Sequence, residues 1–285
     1  NALSEAKSVY DKYNTLMTEN EWYSGFDNFL TDGCKEVIWG GTKLKSIYGY
    51  ETQGNHTGEA WVISANPDGQ SVVTEGHYQG KTLKELWDGH RELFGNLEGD
   101  VFPLLIKLID ARDHLSIQVH PDDEYAYSHE NGEKGKTECW YIVDCDEGAD
   151  IVIGHKAQTK EELKAMIDEG RWDDLLNVIP IHKGDFFYIP AGTVHAIRKG
   201  TLILETQQNS NITYRLYDYG RLQDGKPRQL HIKQSLDVIR CPQERENTVQ
   251  EAVEKDGNIS QRLVSCPLFT VDHFETAEKM TMEQP

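Results

Sequence analysis

Four residues in the middle of the chain carry side chains that can bind a divalent transition metal. Gln118 and His120 stand two positions apart, so an extended strand places both on the same face. Glu138 lies in a later segment, and His195 closes a Pro-x-Gly-x-x-His motif. Two imidazoles, a carboxylate and an amide oxygen are donors that ions such as Zn²⁺ accept. A lone histidine is usually a surface or hydrogen-bonded residue, but the four together predict a metal site.

The elements that must position these residues are short strands. From residue 35 onward, apolar or alternating segments are separated by Gly, Asn and Asp. The segments predicted as strands are 36–39, 60–64, 71–74, 116–120, 139–143, 151–153, 186–189, 202–207 and 213–217. Many short strands with frequent turn residues are typical of a β-sandwich or a β-barrel. We therefore predict a mainly β protein.

Helical segments flank and interrupt the predicted strands. Residues 1–34 are predicted to form an N-terminal helical extension that ends in a loop. Residues 82–94 and 158–178 have apolar residues at helical spacing, and each segment begins with a capping box. We expect 158–178 to cover a barrel end, with a lid beside the site as the alternative. Residues 268–274 are predicted as a late strand.

The composition limits the partners that the chain can have. Its 285 residues carry a net charge of −19, which disfavours binding to nucleic acid and means that an anionic substrate needs a local basic cluster. No apolar run is long enough to cross a bilayer, and there is no basic-then-apolar N-terminal signal. Five cysteines without a CxxC pair favour a reducing compartment. We therefore expect a cytoplasmic monomer or weak homo-oligomer without nucleic-acid or membrane partners.

Several longer motifs resemble one enzyme family. The segments that carry the resemblance are residues 115–121 (LSIQVHP), 135–138 (GKTE), 190–196 (PAGTVHA) and 211–218 (NITYRLYD), with 38–41 and 58–61 upstream. Residues 103–221 are similar to type I mannose-6-phosphate isomerases (phosphomannose isomerases) in their compact bacterial form, within the cupin superfamily, and together with the upstream segments the match covers about 36–235.

The resemblance implies a fold and a ligand set. It implies cupin-type double-stranded β-barrels, with residues 35–235 as the catalytic region and 236–285 as part of a C-terminal cupin-like barrel. Helical insertions, including 158–178, and the N-terminal extension complete this fold class. The implied cofactor is one Zn²⁺ per chain. Its implied ligands are Gln118, His120, Glu138 and His195.

The implied reaction interconverts mannose 6-phosphate and fructose 6-phosphate through a cis-enediol. The family's catalytic Arg falls on Arg215, which would steady the enediolate oxygens. Lys136 or Glu205 would carry the proton. Each also has a structural interpretation: Lys136 could be solvated, and Glu205 could form a buried ion pair with Arg215.

The phosphate of the substrate would meet a local basic group. Lys107 interrupts an apolar run, and Ser116 shares a strand face with Gln118. Both match positions that the family uses around the phosphate. Ser116 could instead cap a neighbouring backbone group.

Two other functions are compatible with the ligand types. Two His and one carboxylate also suit an Fe(II) oxygenase, although Gln118 and the Arg215 segment count against that enzyme. A non-catalytic sugar-binding cupin is the other alternative. Metal analysis, oxygen consumption and an isomerase assay separate the three possibilities.

Overall fold

The structure is a computed structural model that describes residues 29–31, 33–52 and 54–277. Most of the predicted helical extension, 1–34, lies outside these residues. Its end was predicted as a loop and is instead a strand, Phe29–Thr31, with a second strand beginning at Cys34. These segments pair within a sheet, a tertiary context that local sequence does not reveal.

Strands outweigh helices in the described chain. In chain order they are β1 (Phe29–Thr31), β2 (Cys34–Gly41), β3 (Thr57–Asn66), β4 (Gly69–Val73), β5 (Leu104–Ala111), β6 (Ile117–Val119), β7 (Glu138–Cys145), β8 (Asp150–His155), β9 (Leu176–Pro180), β10 (Phe186–Ile189), β11 (His195–Ile197), β12 (Thr201–Gln208), β13 (Tyr214–Tyr217), β14 (Leu222–Gln223), β15 (Lys226–Pro227), β16 (Val253–Lys255), β17 (Asn258–Ser265) and β18 (Thr270–Glu275). Each predicted strand overlaps one of them, which confirms the prediction of a mainly β protein.

Two antiparallel sheets face each other to form the cupin-type barrel. The larger sheet has the order β1-β4-β3-β2-β5-β12-β7-β10, and the smaller has β13-β6-β11-β8-β9. Buried residues from both sheets meet in one apolar core, including Ile109, Trp140 and Ile203 from the larger sheet and Ile151 and Ile197 from the smaller. Between the two sheets the interior is therefore a packed apolar core.

Helices lie between and beside the strands. They are α1 (Lys43–Tyr48), α2 (Leu83–Gly89), α3 (Asp123–His129), α4 (Lys160–Asp168), α5 (Trp172–Leu175) and α6 (Ile232–Val238), with a 3₁₀-helix at Arg91–Phe94. The predicted capping box at the start of α2 is confirmed, since Thr82 and Glu85 bond reciprocally. Within the described ranges, no helix has both the length and the apolarity needed to span a bilayer.

The predicted helix over 158–178 is only partly correct. Thr159 caps α4, but the chain turns at Gly170, which has φ of 66°. After α5 the backbone becomes extended, and β9 pairs with β8. From Leu176 onward, pairing with β8 at the edge of the sheet outweighs the helical pattern.

The insertion covers the smaller sheet. Leu163, Met166 and Ile167 of α4 pack in one cluster with Val119 and Val194 beside them in the barrel wall. The first of these is fully buried. The packing therefore supports the covering role over the alternative of a lid.

We expect Leu163→Ala to lower the free energy of unfolding by about 2–5 kcal/mol, because it leaves a cavity between α4 and the sheet. Urea unfolding followed by circular dichroism measures the change. Leu97→Ala is the control, since Leu97 is 58% exposed. Equal losses in both variants would contradict the packing.

The C-terminal part of the described chain forms a separate small sheet. Strands β16, β17 and β18 pair in that order, all antiparallel. The predicted strand at 268–274 overlaps β18. A partial cupin-like barrel over 236–285 stays a prediction, as do the domain boundaries at 35 and 235.

Candidate metal centre

The candidate ligands come from strands of both sheets. Gln118 is the middle residue of β6, and His120 follows that strand directly. His195 begins β11 and is the register partner of Gln118. Glu138 begins β7 in the larger sheet. The ends of these strands bring residues that are up to 77 positions apart in sequence to one place.

Three of the ligand side chains form a buried cluster. The ligand atoms of His120, Glu138 and His195 all lie within 4.8 Å of one another. Nε2 of His120 is 3.4 Å from one carboxylate oxygen of Glu138, and Nε2 of His195 is 3.4 Å from the other. The three residues are at most 1% exposed. The cluster thus directs two ring nitrogens and a carboxylate toward one point.

Backbone carbonyls fix the orientation of both imidazole rings. Nδ1 of His120 is 2.7 Å from the carbonyl oxygen of Ile212, and Nδ1 of His195 is 2.8 Å from that of Thr193. A carbonyl only accepts, so each Nδ1 carries the proton and donates it. Each Nε2 is then unprotonated and carries a lone pair, the tautomer that a metal-binding histidine needs.

The charge state of the cluster suits a cation. Burial lowers the pKa of His120 to about 3, and Lys136 acts in the same direction. Burial also lowers the pKa of His195, although Glu138 opposes it. Burial alone would raise the pKa of Glu138, but Lys136 and the two histidines hold it well below its usual range. Near pH 7 the cluster therefore consists of two neutral imidazoles and one carboxylate.

A divalent metal ion fits these residues. Both carboxylate oxygens of Glu138 are buried and have no partner with hydrogen-bond geometry within the described chain. The Lys136 ammonium forms an ion pair with Oε2 at 2.6 Å, and a metal ion would give both buried oxygens a direct partner. Two neutral nitrogens and one anionic oxygen match the preference of Zn²⁺ and similar ions.

Gln118 lies beside the cluster with its amide nitrogen toward it. Nε2 of Gln118 is 3.3 Å from Nε2 of His195, and its Oε1 is 3.3 Å from the hydroxyl of Ser116. Only Oε1 of this amide can bind a metal, so the amide must rotate by about half a turn to do so. Which of its two atoms faces the cluster depends on the surrounding hydrogen bonds. The Ser116 hydroxyl can accept from the amide after that rotation.

The ammonium of Lys136 lies against the candidate ligands. Its Nζ is 2.6 Å from Oε2 of Glu138 and 3.1 Å from Nε2 of His120. The residue is only 5% exposed, so the interpretation of a solvated lysine is wrong. In this structure Lys136 supplies the positive charge next to the carboxylate.

Glu205 forms its ion pair with Lys107, and the alternative pairing with Arg215 is wrong. Nζ of Lys107 is 3.2 Å from Oε2 of Glu205 and 3.8 Å from Glu59. The pairing follows from register, since Glu205 is directly opposite Lys107 across β5 and β12. Nε1 of Trp140, the residue opposite Glu205 on β7, donates to Oε1 at 3.2 Å.

This ion pair extends the polar site beyond the ligands. Burial by itself would lower the pKa of Lys107, but Glu205, Glu59 and Glu138 together raise it. Trp140 packs edge-on against His195 with ring centroids 5.5 Å apart. A connected set of side chains therefore runs from the ligand cluster to Lys107.

We expect Lys107→Met to lower the free energy of unfolding by about 3–5 kcal/mol, because it leaves the buried carboxylate of Glu205 without its cation. The double variant with Glu205→Gln should recover part of the loss. Urea unfolding measures both. Lys164→Met is the control, because Lys164 pairs with Asp168 on the surface, where an ion pair contributes little. A loss no larger than that of the control would contradict a structural pair.

Arg215 is the register partner of Gln118 across β13 and β6. Its Nη1 donates to the carbonyl oxygen of Gln229 at 2.9 Å, whereas its Nε is buried without a partner in the described chain. Burial lowers the pKa of Arg215, and Arg228 acts in the same direction. The structure thus places Arg215 next to β6, the strand that carries Gln118, and does not pair it with Glu205.

Sequence reasoning missed other residues around the site. Glu59 belongs to a matching motif and Trp140 to a predicted strand, but neither received a role. A charged residue between Gly58 and Ala60 in a strand was the available signal for Glu59. His231, which contacts the backbone of Arg215, had no signal in the sequence.

A cupin-type β-barrel with a buried His-Glu-His cluster defines the class of metal-binding cupins. Residues 29–141 match the family model for the catalytic domain of type I phosphomannose isomerases. Mannose-6-phosphate isomerase ManA of Bacillus subtilis is 53% identical over 259 residues, which cover 90% of this chain and 81% of that protein. The mannose-6-phosphate isomerase of Streptococcus mutans is 51% identical over the same shares.

A solved structure agrees with these relatives. The crystal structure of the Bacillus subtilis mannose 6-phosphate isomerase has a TM-score of 0.82 and 49% identity, covering 86% of this chain and 77% of that one. The apo enzyme of Salmonella typhimurium, at 17% identity and a TM-score of 0.61, shares the fold. The chain belongs to the type I phosphomannose isomerase family, as the motifs had predicted.

Proposed function

We propose that this protein is a zinc-dependent aldose–ketose isomerase that interconverts D-mannose 6-phosphate and D-fructose 6-phosphate through a cis-enediol. The observation that carries the proposal is the buried His120–Glu138–His195 cluster, held in the fold of an isomerase family. Family membership favours this activity over an Fe(II) oxygenase or a non-catalytic sugar-binding cupin.

We assign the metal to four ligands: Gln118 through a rotated amide, His120, Glu138 and His195. The unprotonated Nε2 atoms of the two histidines and the buried Glu138 carboxylate between them support three of the ligands, and the register pairing with His195 supports Gln118. When bound, the ion supplies Lewis-acid stabilisation of negative charge on the sugar oxygens. Zinc, one per chain, is proposed from the donor set.

The chain's own residues then have to move a proton between C2 and C1 of the open sugar. Lys136 is supported as the carrier, because its Nζ lies at the ligand cluster and is shielded from water. Glu205 is the second candidate, but its carboxylate is held by Lys107 and Trp140. Arg215 would donate hydrogen bonds to the two oxygens that carry charge in the enediolate.

The phosphate end is assigned to Lys107 and Ser116. Ser116 is buried next to Gln118, and Lys107 is a buried cation whose charge interacts with Glu138. In this role the Lys107 ammonium has to exchange a carboxylate contact for a phosphate oxygen. Lys107 supplies a cation and Ser116 a hydroxyl donor in a protein of net charge −19, and this pair of groups fits an anionic ligand.

The setting of the enzyme follows from the same interpretation. Within the described chain none of the five cysteines forms a disulfide, which supports a reducing compartment such as the cytoplasm. We propose a monomer or weak homo-oligomer, with a catalytic region at 35–235, an N-terminal extension before it and a cupin-like C-terminal part after it.

A coupled isomerase assay with mannose 6-phosphate tests the proposal. We expect turnover in the zinc-loaded protein, loss of turnover after treatment with a chelator, and recovery when Zn²⁺ is added back. Metal analysis of the same samples gives the stoichiometry. Absence of turnover in the zinc-loaded protein would refute the function, and turnover that survives complete metal removal would refute the metal dependence.

A further inference from the structure

The strand that carries Arg215 lies at the edge of its sheet. Within the described chain, β13 pairs only with β6, so its other side has no neighbouring strand. In an antiparallel pair, each residue directs its N–H and C=O together either toward the partner strand or away from it. Backbone groups that point outward from an edge strand need other partners.

His231 forms hydrogen bonds with both outward-facing backbone groups of Arg215. Its backbone N–H donates to the carbonyl oxygen of Arg215 at 2.8 Å, and its ring Nδ1 accepts from the N–H of Arg215 at 3.1 Å. Arg215 and its register partner Gln118 are therefore a pair without mutual hydrogen bonds, the type in which side chains approach most closely. Gln229 adds a third bond, through its carbonyl oxygen to Nη1 of Arg215.

The Arg215 guanidinium has no other group that fixes it. In the parts of the chain that the structure describes, it has no ion pair within 4.0 Å, and its Nε is buried without a partner. The nearby carboxylate, Asp218, is bound instead by Arg221 and Arg228. The direction of the Arg215 side chain thus depends on the bonds from residues 229 and 231.

His231 is itself anchored. It immediately precedes α6 (Ile232–Val238), whose backbone bonds back to it through the N–H of Ser235 at 2.8 Å. That helix is tied to α3 by the hydroxyl of Tyr125, which donates to Asp237 at 3.0 Å. Burial lowers the pKa of His231, and Arg215 acts in the same direction, so Nδ1 is available as an acceptor near pH 7.

We propose that His231 is a positioning residue for the isomerase reaction, which aims the guanidinium of Arg215 at the ligand cluster by holding the backbone of the edge strand from outside. The role rests on the proposed function, since it requires that Arg215 acts on the substrate. His231 does not touch the reacting atoms. At Arg215 it supplies the hydrogen bonds that a neighbouring strand would otherwise make with the backbone of β13.

The test compares variants that differ at the Nδ1 position. His231→Leu keeps the backbone bond and removes the acceptor, whereas His231→Asn places an amide oxygen near the same position. We expect His231→Leu to lower kcat by about tenfold to a hundredfold, as for a misplaced catalytic group. KM for mannose 6-phosphate and zinc content should stay unchanged, and His231→Asn should recover most of kcat. His182→Leu is the matched control, because the His182 side chain is 82% exposed.

A double-mutant cycle with Arg215→Ala separates positioning from general stability. If His231 acts through Arg215, then His231→Leu has no further effect on kcat in the Arg215→Ala background. Equal fold losses in both backgrounds, or no recovery in His231→Asn, would overturn the positioning role. Near-native kcat in Arg215→Ala would instead refute the catalytic role of Arg215, and with it this inference, while leaving the metal assignment intact. Should His231→Leu not fold, the His231→Asn and His231→Gln pair gives the same comparison, with loss expected only in the latter.

Discussion

The Glu138→Gln variant should lose its bound metal and about 10³-fold of kcat/KM. Glu138 is the only carboxylate in the buried ligand cluster of the described chain. Its replacement removes the anionic donor, and the amide nitrogen would face the ring nitrogen of one of the two histidines. Metal analysis after dialysis, together with the coupled assay, measures both effects.

The same variant has a second consequence in the metal-free protein. Lys136 loses its carboxylate partner while remaining buried, so the free energy of unfolding should fall by about 3 kcal/mol. Glu254→Gln, on the exposed strand β16, is the matched control and should change neither metal content nor stability. Full activity and one bound metal in Glu138→Gln would remove this residue from the ligand set.

The Arg215→Ala variant should keep its metal and lose about 10²–10³-fold of kcat. The guanidinium is proposed to act on charge that develops only in the transition state, so kcat and kcat/KM should fall together. Lysine at this position keeps the charge but not the planar fork, so Arg215→Lys should recover little. Steady-state kinetics on zinc-loaded samples of equal metal content measure this.

The control for Arg215→Ala is Arg262→Ala. Arg262 pairs with Asp272 on the small C-terminal sheet, far along the chain from the ligands, and its loss should leave kcat unchanged. If Arg215→Ala retains near-native kcat, the proposed contact with the enediolate is wrong. If it instead loses zinc, the residue supports the metal centre and has no separate role in turnover.

Much of the fold was accessible from local sequence. Segment 186–189 is uniformly apolar, segment 202–207 begins with three apolar residues, and the capping box at Thr82 marks a helix start. These signals depend on neighbours a few residues apart, so a single sequence contains them. The helix prediction over residues 176–178 was wrong because these residues form an edge strand with β8. That pairing is long-range and competes with the local helical pattern.

The sequence by itself determined which residue types are available and which ones share a strand face. Gln118 and His120 follow from the period of an extended strand, and the motif around His195 follows from its turn residues. Those local rules were enough to name a His-Glu-His cluster, which the structure confirms. The interrupted apolar run also singled out Lys107, whereas the roles of Lys136, Glu205 and Arg215 came with the family resemblance.

Only the tertiary structure decided which of these charges meet. The register of β5 against β12 places Glu205 opposite Lys107, and the position of α6 beside β13 places His231 against Arg215. The reason is physical: the strand period of two fixes the face of a side chain, but partners across strands depend on register and chain topology. Burial then sets the charge states, since the pKa values of His120 and Glu138 depend on neighbours brought in from both sheets.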